Sequence, residues 1–313
     1  MSNPVRLGLD VGGTASRWVA CAADGAVVAR GKVAGATGHV FNPAEREKLR
    51  LALAAIAEAV SAAGLTPTHL AAGLTGYGAA VATDVAGLVA ERFGIGAETV
   101  LLTDDMTLAF AAIFAPGEGH LVSAGTGSIG LHLGEDGALV RVGGRGILID
   151  DAGSGSWIAL RALDKIYRCL DHSGSFTEVQ RLADAMLALV GGTEWSDVRQ
   201  LVYGGDRGRI GALAVGVGQA AEAGDALALE ILSEAGRELA ALAQALTARA
   251  GKMPIGFIGG VLGLHGSVVE AISAQLAGQV VLFPEADAAL AAAQMFGPHK
   301  ADWRALLAAN QPG

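Results

Sequence analysis

Asp10, Gly12, Gly13 and Thr14 lie in "RLGLDVGGTASRWVACA", where an apolar run ends on a carboxylate and enters a Gly-Gly-Thr turn. The spacing is not the G-x-G-x-x-G of a dinucleotide-binding turn, and the residues that follow read as a second strand, not a helix. Glycine lets a backbone approach a ligand closely. Successive N–H groups in such a turn form an anion-binding nest, to which a Thr or Ser hydroxyl adds a donor. A second turn of this kind, Gly125-Thr126-Gly127-Ser128, sits in "LVSAGTGSIGLHL". One such turn is weak evidence, but two from paired half-structures would hold a polyphosphate from both sides. A carboxylate beside phosphate oxygens suits Mg2+, which takes oxygen ligands and keeps several waters. Asp10 is therefore a metal candidate, acting through water; the other reading is a turn-initiating Asp that bonds its own loop.

Transfer of a phosphoryl group needs a carboxylate that orients the attacking hydroxyl and accepts its proton. "VLLTDDMTLAFAAIF" offers Asp104, where a buried strand gives way to a helix. Asp is also a favoured N-cap residue, and one side chain can serve both roles. Asp105, one step round the helix, is expected to be solvated. In "VGGRGILIDDAGSGSWIALRAL", Gly144, Arg145 and Gly146 would wrap a small polar ligand, while Asp150 and Asp151 would accept hydrogen bonds from sugar hydroxyls or an amine. The alternative for the Asp pair is a favourable interaction with a helix N-terminus. A third glycine pair, Gly259-Gly260 in "PIGFIGGVLGLHG", joins a strand to a helix and reads as backbone passing under an adenosine.

The elements that must position these residues alternate between strand and helix, which predicts an α/β architecture. Strands are expected at 5–10, 16–22, 26–33, 69–74, 99–103, 120–124, 128–133, 138–142, 255–258 and 280–283. Helical patterns cover 43–63, 79–93, 105–114, 155–170, 176–189, 208–223, 225–250, 264–277, 286–296 and 300–309. An internal echo organises them. "LGLDVGGTASRWVACAADGAVVARG" and "LVSAGTGSIGLHLGEDGALVRVGG" each run strand, Gly/Thr hairpin, strand, Asp-Gly-Ala turn and strand. Asp-Gly is strong turn chemistry. The plan appearing twice predicts two similar halves facing each other across a cleft.

Bulk properties narrow the function classes. With 313 residues there is room for two domains. A net charge of −9 argues against broad nucleic-acid binding and against docking on anionic membrane. Cys21 and Cys169 form neither a disulfide framework nor a metal cluster, and the seven histidines are dispersed without a ligand-spaced pair. No apolar run reaches the ~18 residues of a membrane helix, and "MSNPVRLG" has no signal-peptide character. A cytoplasmic protein is expected.

Taken together, "DVGGT", "TDDMTLAF", "SAGTGSIG", "GGRGILIDDAGSGSWI", "AAEAGDALALEIL" and "IGGVLG" resemble, in order and over nearly the whole chain, the actin-like sugar-kinase ATPase superfamily. Within it the chain is most similar to the BadF/BadG/BcrA/BcrD group that includes N-acetylglucosamine kinase and bacterial glucosamine kinase. "DVGGT" alone fits many sugar kinases; "GTGS" followed by "GGxG…D…GSG" is more specific. The resemblance implies two actin-like (ribonuclease-H-like) domains, mixed sheets flanked by helices, with an ATP cleft between them. It places an N-terminal domain at 1–117 plus a returning helix at 298–313, and a C-terminal domain at 118–297. It implies transfer of the γ-phosphate of ATP, with Mg2+, to the 6-hydroxyl of glucosamine or N-acetylglucosamine. Asp104, in the place of the family's T/N-D-A segment, then matches the base and contacts the sugar. Thr14 and Thr126 match phosphate contacts, Gly259-Gly260 the adenosine segment, and Gly144, Arg145, Gly146 and Asp151 sugar contacts. His39 and Asn42 stand near the family's sugar-binding Asn, in "GATGHVFN". A homodimer is the family expectation.

Two departures lean toward an unacylated amino sugar. Arg145 stands where the mammalian type has Trp, and an extra acid, Asp150, precedes Asp151. An ammonium group benefits from nearby acids. A kinase of another acceptor, such as N-acetylmuramate, is the main alternative. A non-catalytic ATP or sugar sensor would carry a DNA-binding helix-turn-helix ahead of the first strand, which here begins near residue 5. "GLTGYG" (Gly73 to Gly78) faintly echoes a motif of the [4Fe–4S] dehydratase activators, but neither cysteine is placed to ligate a shared cluster.

Overall fold

The computed structural model describes residues 3–205, 207–297 and 302–309. In chain order it contains β1 (Asn3–Val11), β2 (Ala15–Cys21), β3 (Val27–Ala34), α1 (Pro43–Ala62), β4 (Leu65–Leu74), α2 (Ala82–Phe93), β5 (Val100–Asp104) and α3 (Asp105–Ala111). Then follow β6 (His120–Ala124), β7 (Ser128–Leu133), β8 (Leu139–Gly143), α4 (Gly155–Ser173), α5 (Gln180–Val190), α6 (Trp195–Gly204) and α7 (Arg207–Ala212). Next are α8 (Ala214–Glu222), α9 (Ala226–Ala250), β9 (Ile255–Ile258), α10 (Gly266–Gln275) and β10 (Val281–Leu282), and the chain ends with α11 (Ala288–Gln294) and α12 (Trp303–Ala309). No helix among the described residues is long and apolar enough to cross a membrane.

These elements form two compact units. One takes the described residues of Met1–Glu118, Leu133–Leu139 and Glu285–Gly313; the other takes those of Gly119–His132 and Val140–Pro284. The first unit's sheet has the order β3-β2-β1-β4-β5, and the second's, read from its hairpin end, β8-β7-β6-β9-β10. In both, the first two strands pair antiparallel and the first strand runs parallel to the fourth. The repeated hairpin in the sequence is thus one part of a repeated sheet.

Residue alternation in β1 explains how the first sheet is covered on both faces. Val5, Leu7, Leu9 and Val11 are buried on one face and share a core with Leu49, Leu53 and Ile56 of α1 and with Val85 and Val89 of α2. The opposite face carries Gly8. A Cβ there would lie 2.0 Å from the carbonyl oxygen of Ala289 and 2.3 Å from the amide of Ala293. Helix α11 therefore rests on the backbone of β1, with Ala289 and Ala293 packed against Val19 and Cys21. This corrects the expected boundary: residues 285–297 belong with the first unit, because Gly8 opens a groove that only a small-residue helix can fill. Residues 133–139, the β7–β8 turn, join it too, through the Gly117 N–H to Leu133 carbonyl bond of 2.7 Å. Of the returning segment expected at 298–313, residues 298–301 and 310–313 lie outside the described residues. Within it, Trp303 is buried and Arg304 donates to the carbonyls of Glu98 and Val100. Gly8→Ala is expected to lower first-unit stability by about 3 kcal/mol, the upper end of ordinary overpacking costs, because the obstacle is backbone. A thermal melt of the variant checks this.

The second unit is mainly helical around its sheet, with Leu232, Leu239, Ala243 and Leu246 of α9 buried beside Val122, Ile255 and Phe257. Helix α6 occupies a stretch to which the sequence pattern assigns no element. A reciprocal capping box starts it: the side chain of Glu194 accepts from the third residue's backbone while Asp197 accepts from the Glu194 N–H. The single helix expected at 208–223 is split into α7 and α8.

Candidate active site

In the first unit β1, β4 and β5 run parallel, so their C-terminal ends lie side by side. Asp10 is in register with Gly73, Gly73 with Thr103, and Leu74 with Asp104. Ligands in open α/β sheets bind at this edge. Asp10 is partly buried, with one carboxylate oxygen 3.4 Å from Nη1 of Arg17. Burial pushes its carboxyl above the ordinary value, Arg17 pulls it back, and Asp105 and Asp287 add to the upward push. Among the described residues no group of three or more His, Cys, Asp or Glu could hold a metal ion. The Asp10 carboxylate could accept from the water shell of a hard cation such as Mg2+. The turn beyond it is pinned at its base: the Gly12 N–H bonds the Ala15 carbonyl at 3.2 Å, and the Ala36 N–H bonds that of Gly12 at 3.1 Å. Gly13 and Thr14 are left at an exposed tip.

Asp104 closes β5 and caps α3. Its Oδ1 accepts from the N–H groups of Met106 and Thr107, both at 3.0 Å, and its Oδ2 accepts from Thr107 Oγ1 at 2.8 Å. An ionised carboxylate has about four lone-pair sites, so these three bonds fix the side chain and leave one site on Oδ2. The ring of His39 lies half-buried against Gly76, whose φ is +78°. A Cβ at Gly76 would fall 2.1 Å from Nε2 of His39, so glycine is required there twice over. Asn42, the other candidate of that loop, is committed to capping α1, accepting from the Ala44 N–H at 2.9 Å.

In the second unit the loops after β6 and β9 meet. Gly259, at φ +112°, lies so near β6 that a Cβ would be 2.2 Å from the carbonyl oxygen of Ala124; Gly260 follows at the start of a single 3-10 turn. The Gly155 N–H bonds the Gly125 carbonyl at 2.8 Å and the Ser156 N–H bonds that of Thr126 at 3.2 Å. Residues 125–127, 155–156 and 259–260 are therefore one cluster. Ser128 closes the turn. Its hydroxyl is buried and donates to the Ala152 carbonyl at 2.7 Å, tying the following loop beneath the glycine turn.

That following loop holds Gly144, Arg145, Gly146 and Asp151. Gly144 and Gly146 have φ of +67° and +92°. Arg145 is exposed and sits 3.4 Å from Asp150, whose other oxygen accepts from the Asp151 N–H at 2.9 Å. Asp151 is the one non-glycine residue with positive φ among the described residues, at +117°. It is only 4% exposed. Its Oδ1 accepts from the Gly146 N–H at 3.3 Å, while its Oδ2 is buried with no partner and lies 3.0 Å from where a Gly127 Cβ would be. Burial raises its carboxyl above the ordinary value and Asp150 adds to the rise; the N–H groups of Gly146 and Ser128 and the charge of Arg207 oppose it. Asp151 therefore links the 144–146 loop to Gly127. Sequence reading did not single out Arg207, which acts on Asp151 from a helix remote in sequence.

It also missed Thr75 and misjudged Asp105. Asp105 is half-buried and accepts from Thr75 Oγ1 at 2.7 Å. A hydroxyl from the loop after β4 has taken the place of solvent.

A profile of the BadF/BadG/BcrA/BcrD ATPase family matches residues 7–294. The N-acetylmuramic acid/N-acetylglucosamine kinase of Clostridium acetobutylicum is 30% identical over 169 residues, 52% of this chain and 54% of that protein, so the match spans about half of the relative's length. Among solved structures, a protein of Chromobacterium violaceum assigned as an N-acetylglucosamine kinase superposes with a TM-score of 0.69 at 25% identity, covering 92% of this chain and 97% of that one. One from Porphyromonas gingivalis with the same assignment gives a TM-score of 0.70 at 16% identity, covering 92% and 98%, a likeness of fold.

Proposed function

Because the chain belongs to the BadF/BadG/BcrA/BcrD ATPase family, we propose that it is an ATP-dependent kinase of an amino sugar, phosphorylating the 6-hydroxyl with Asp104 as base. The observation that carries this reading is Asp104 itself. It is held by three hydrogen bonds at the carboxyl edge of a parallel sheet, with an Oδ2 acceptor site in hand, on the next strand but one from Asp10 and the Gly-Gly-Thr turn. Asp10 would hold Mg2+ through water. Within the first unit, Gly12, Gly13 and Thr14 would donate to phosphate oxygens; within the second, Gly125, Thr126 and Gly127 form a turn of the same donor type beside Gly259-Gly260, the expected adenosine segment.

Bound Mg2+-ATP supplies the electrophilic phosphorus and a leaving group whose charge the metal neutralises. Asp104 orients the sugar hydroxyl through Oδ2 and takes its proton as the new P–O bond forms and ADP departs. Asp151 would act from behind the sugar loop, its Oδ1 fixing Gly146 through the N–H at 3.3 Å. In the first unit His39 would be the sugar contact beside Asp104; in the second, Gly144 and Gly146 share the loop that Asp151 fixes. Since Arg145 already answers Asp150, an N-acetylated hexosamine is favoured over the free amine, in line with the acceptors named for the Clostridium relative.

The test is ADP release with Mg2+-ATP against N-acetylglucosamine, glucosamine, N-acetylmuramate, glucose and no acceptor. The expected result is turnover with N-acetylglucosamine above that with glucosamine, and little without acceptor. Silence across the panel would overturn the reading.

A further inference from the structure

Thr75 lies in "GLTGYG", a segment that the kinase reading leaves without a role, and it is bonded in three directions. Its N–H donates to the carbonyl of Val11, at the root of the Gly-Gly-Thr turn, at 3.0 Å. Its carbonyl accepts from the N–H of Gly38, the residue before His39, at 2.8 Å. Its hydroxyl donates to Asp105 Oδ2 at 2.7 Å, next to Asp104 on the first turn of α3. The first two bonds are backbone bonds that nearly any residue at position 75 would make. The third needs a hydroxyl at 75 and an acceptor at 105. It also joins the base-bearing helix, side chain to side chain, to the loop on which His39 rests through Gly76.

We propose that the Thr75–Asp105 hydrogen bond sets the position of the Asp104 helix relative to the His39 loop, making Thr75 and Asp105 positioning residues for the phosphoryl transfer. The proposal rests on the kinase reading. Helix α3 has only seven residues, and a short helix has little intrinsic stability of its own. The buried Leu108 and Phe110 hold its body against the sheet, and the polar ties of its first turn set how that turn meets the neighbouring loop. Asp104 caps that turn from within, which fixes the carboxylate to the helix but not the helix to the neighbouring loop. Asp105 supplies that second fixing point. A displacement of about 1 Å between a base and its substrate can cost on the order of 10²-fold in rate.

The test compares Thr75→Val, which keeps the shape and removes the donor, with Thr75→Ser, which keeps a hydroxyl. It also compares Asp105→Ala with Asp105→Asn, which keeps an acceptor oxygen and removes the charge. Expected are a fall in kcat/KM for the sugar of about 10²-fold in Thr75→Val and Asp105→Ala, an unchanged KM for ATP, and recovery to within about threefold in Thr75→Ser and Asp105→Asn. The double variant Thr75→Val/Asp105→Ala should be no worse than either single one, as for two halves of one bond. Hydrogen exchange gives a readout independent of turnover: amides of 38–40 and 106–108 should exchange faster together in Thr75→Val. A wild-type-like Thr75→Val in both assays would overturn the proposal, as would Asp105→Asn falling as far as Asp105→Ala, which would assign Asp105 a role through its charge. If the wild-type protein turns over no sugar while the exchange result holds, the kinase reading fails and the hydrogen bond keeps its structural role.

Discussion

Asp104→Asn is expected to lower kcat by about 10³-fold, within the range that general-base catalysis contributes, while leaving nucleotide binding and folding nearly unchanged. The separation is possible because Asn is as good an N-cap as Asp. Its amide oxygen can accept from the Met106 and Thr107 N–H groups as Oδ1 does now, and the Thr107 hydroxyl can turn to accept from the amide nitrogen. The helix stays capped and the proton acceptor is lost. Asp104→Ala removes both functions and should cost about 1 kcal/mol of stability in addition. Single-turnover kinetics, titration with a non-hydrolysable ATP analogue and thermal melts of the two variants give the comparison. Turnover like that of the wild-type protein in Asp104→Asn would remove Asp104 from the chemistry and leave it a cap.

Asp151→Gly is expected to move stability and activity in opposite directions. A non-glycine residue at φ +117° carries backbone strain of about 1–3 kcal/mol, and its buried Oδ2 lacks a partner. Glycine relieves both. Against this stand the lost bond from the Gly146 N–H, worth about 1 kcal/mol, and the extra entropy of glycine in the unfolded chain, up to about 1 kcal/mol. The net gain is about 1 kcal/mol, a rise in Tm of roughly 2–4 °C. Sugar turnover should fall at least 10²-fold, the scale for a site whose hydrogen-bonding group is removed. The gain should depend on pH in a defined sense. Burial raises the Asp151 carboxyl above its ordinary value. Such a group favours the folded state below its unfolded pKa, and that contribution is lost as pH rises through the folded pKa. At neutral pH the wild-type protein bears the whole cost of the charge, so the advantage of the variant is largest there and narrows toward about pH 4. A variant that loses both stability and activity would mark Asp151 as an ordinary structural residue.

Much of the architecture was legible from local chemistry. The two Gly/Thr hairpins, the Asp-Gly turns and the period-two burial of Val5, Leu7, Leu9 and Val11 depend on residues within a few positions of one another, so the sequence displays them directly. From these the α/β class, the two matched sheets and the position of Asp104 at a strand end follow. Helix α6 escaped although Val198, Leu201 and Val202 carry a helical spacing, because the helix is only ten residues long and its start is marked by a polar signal, the Glu194–Asp197 capping box.

What lay beyond the sequence are pairings between distant segments. Nothing near Gly8 announces that α11, some 280 residues later, rests on it; the close approach of Ala289 exists only once both elements are placed. Asp105 looks like a solvated neighbour of a catalytic acid until Thr75, 30 positions away, brings a hydroxyl to it. The bond of Ser128 to the Ala152 carbonyl and the approach of Arg145 to Asp150 are likewise partners that local spacing does not display. Sequence alone determined which residues could do chemistry, because turn and strand propensities act over a few residues. Tertiary structure decided which of their polar atoms were already spent, because a buried donor or acceptor finds its partner wherever packing brings one.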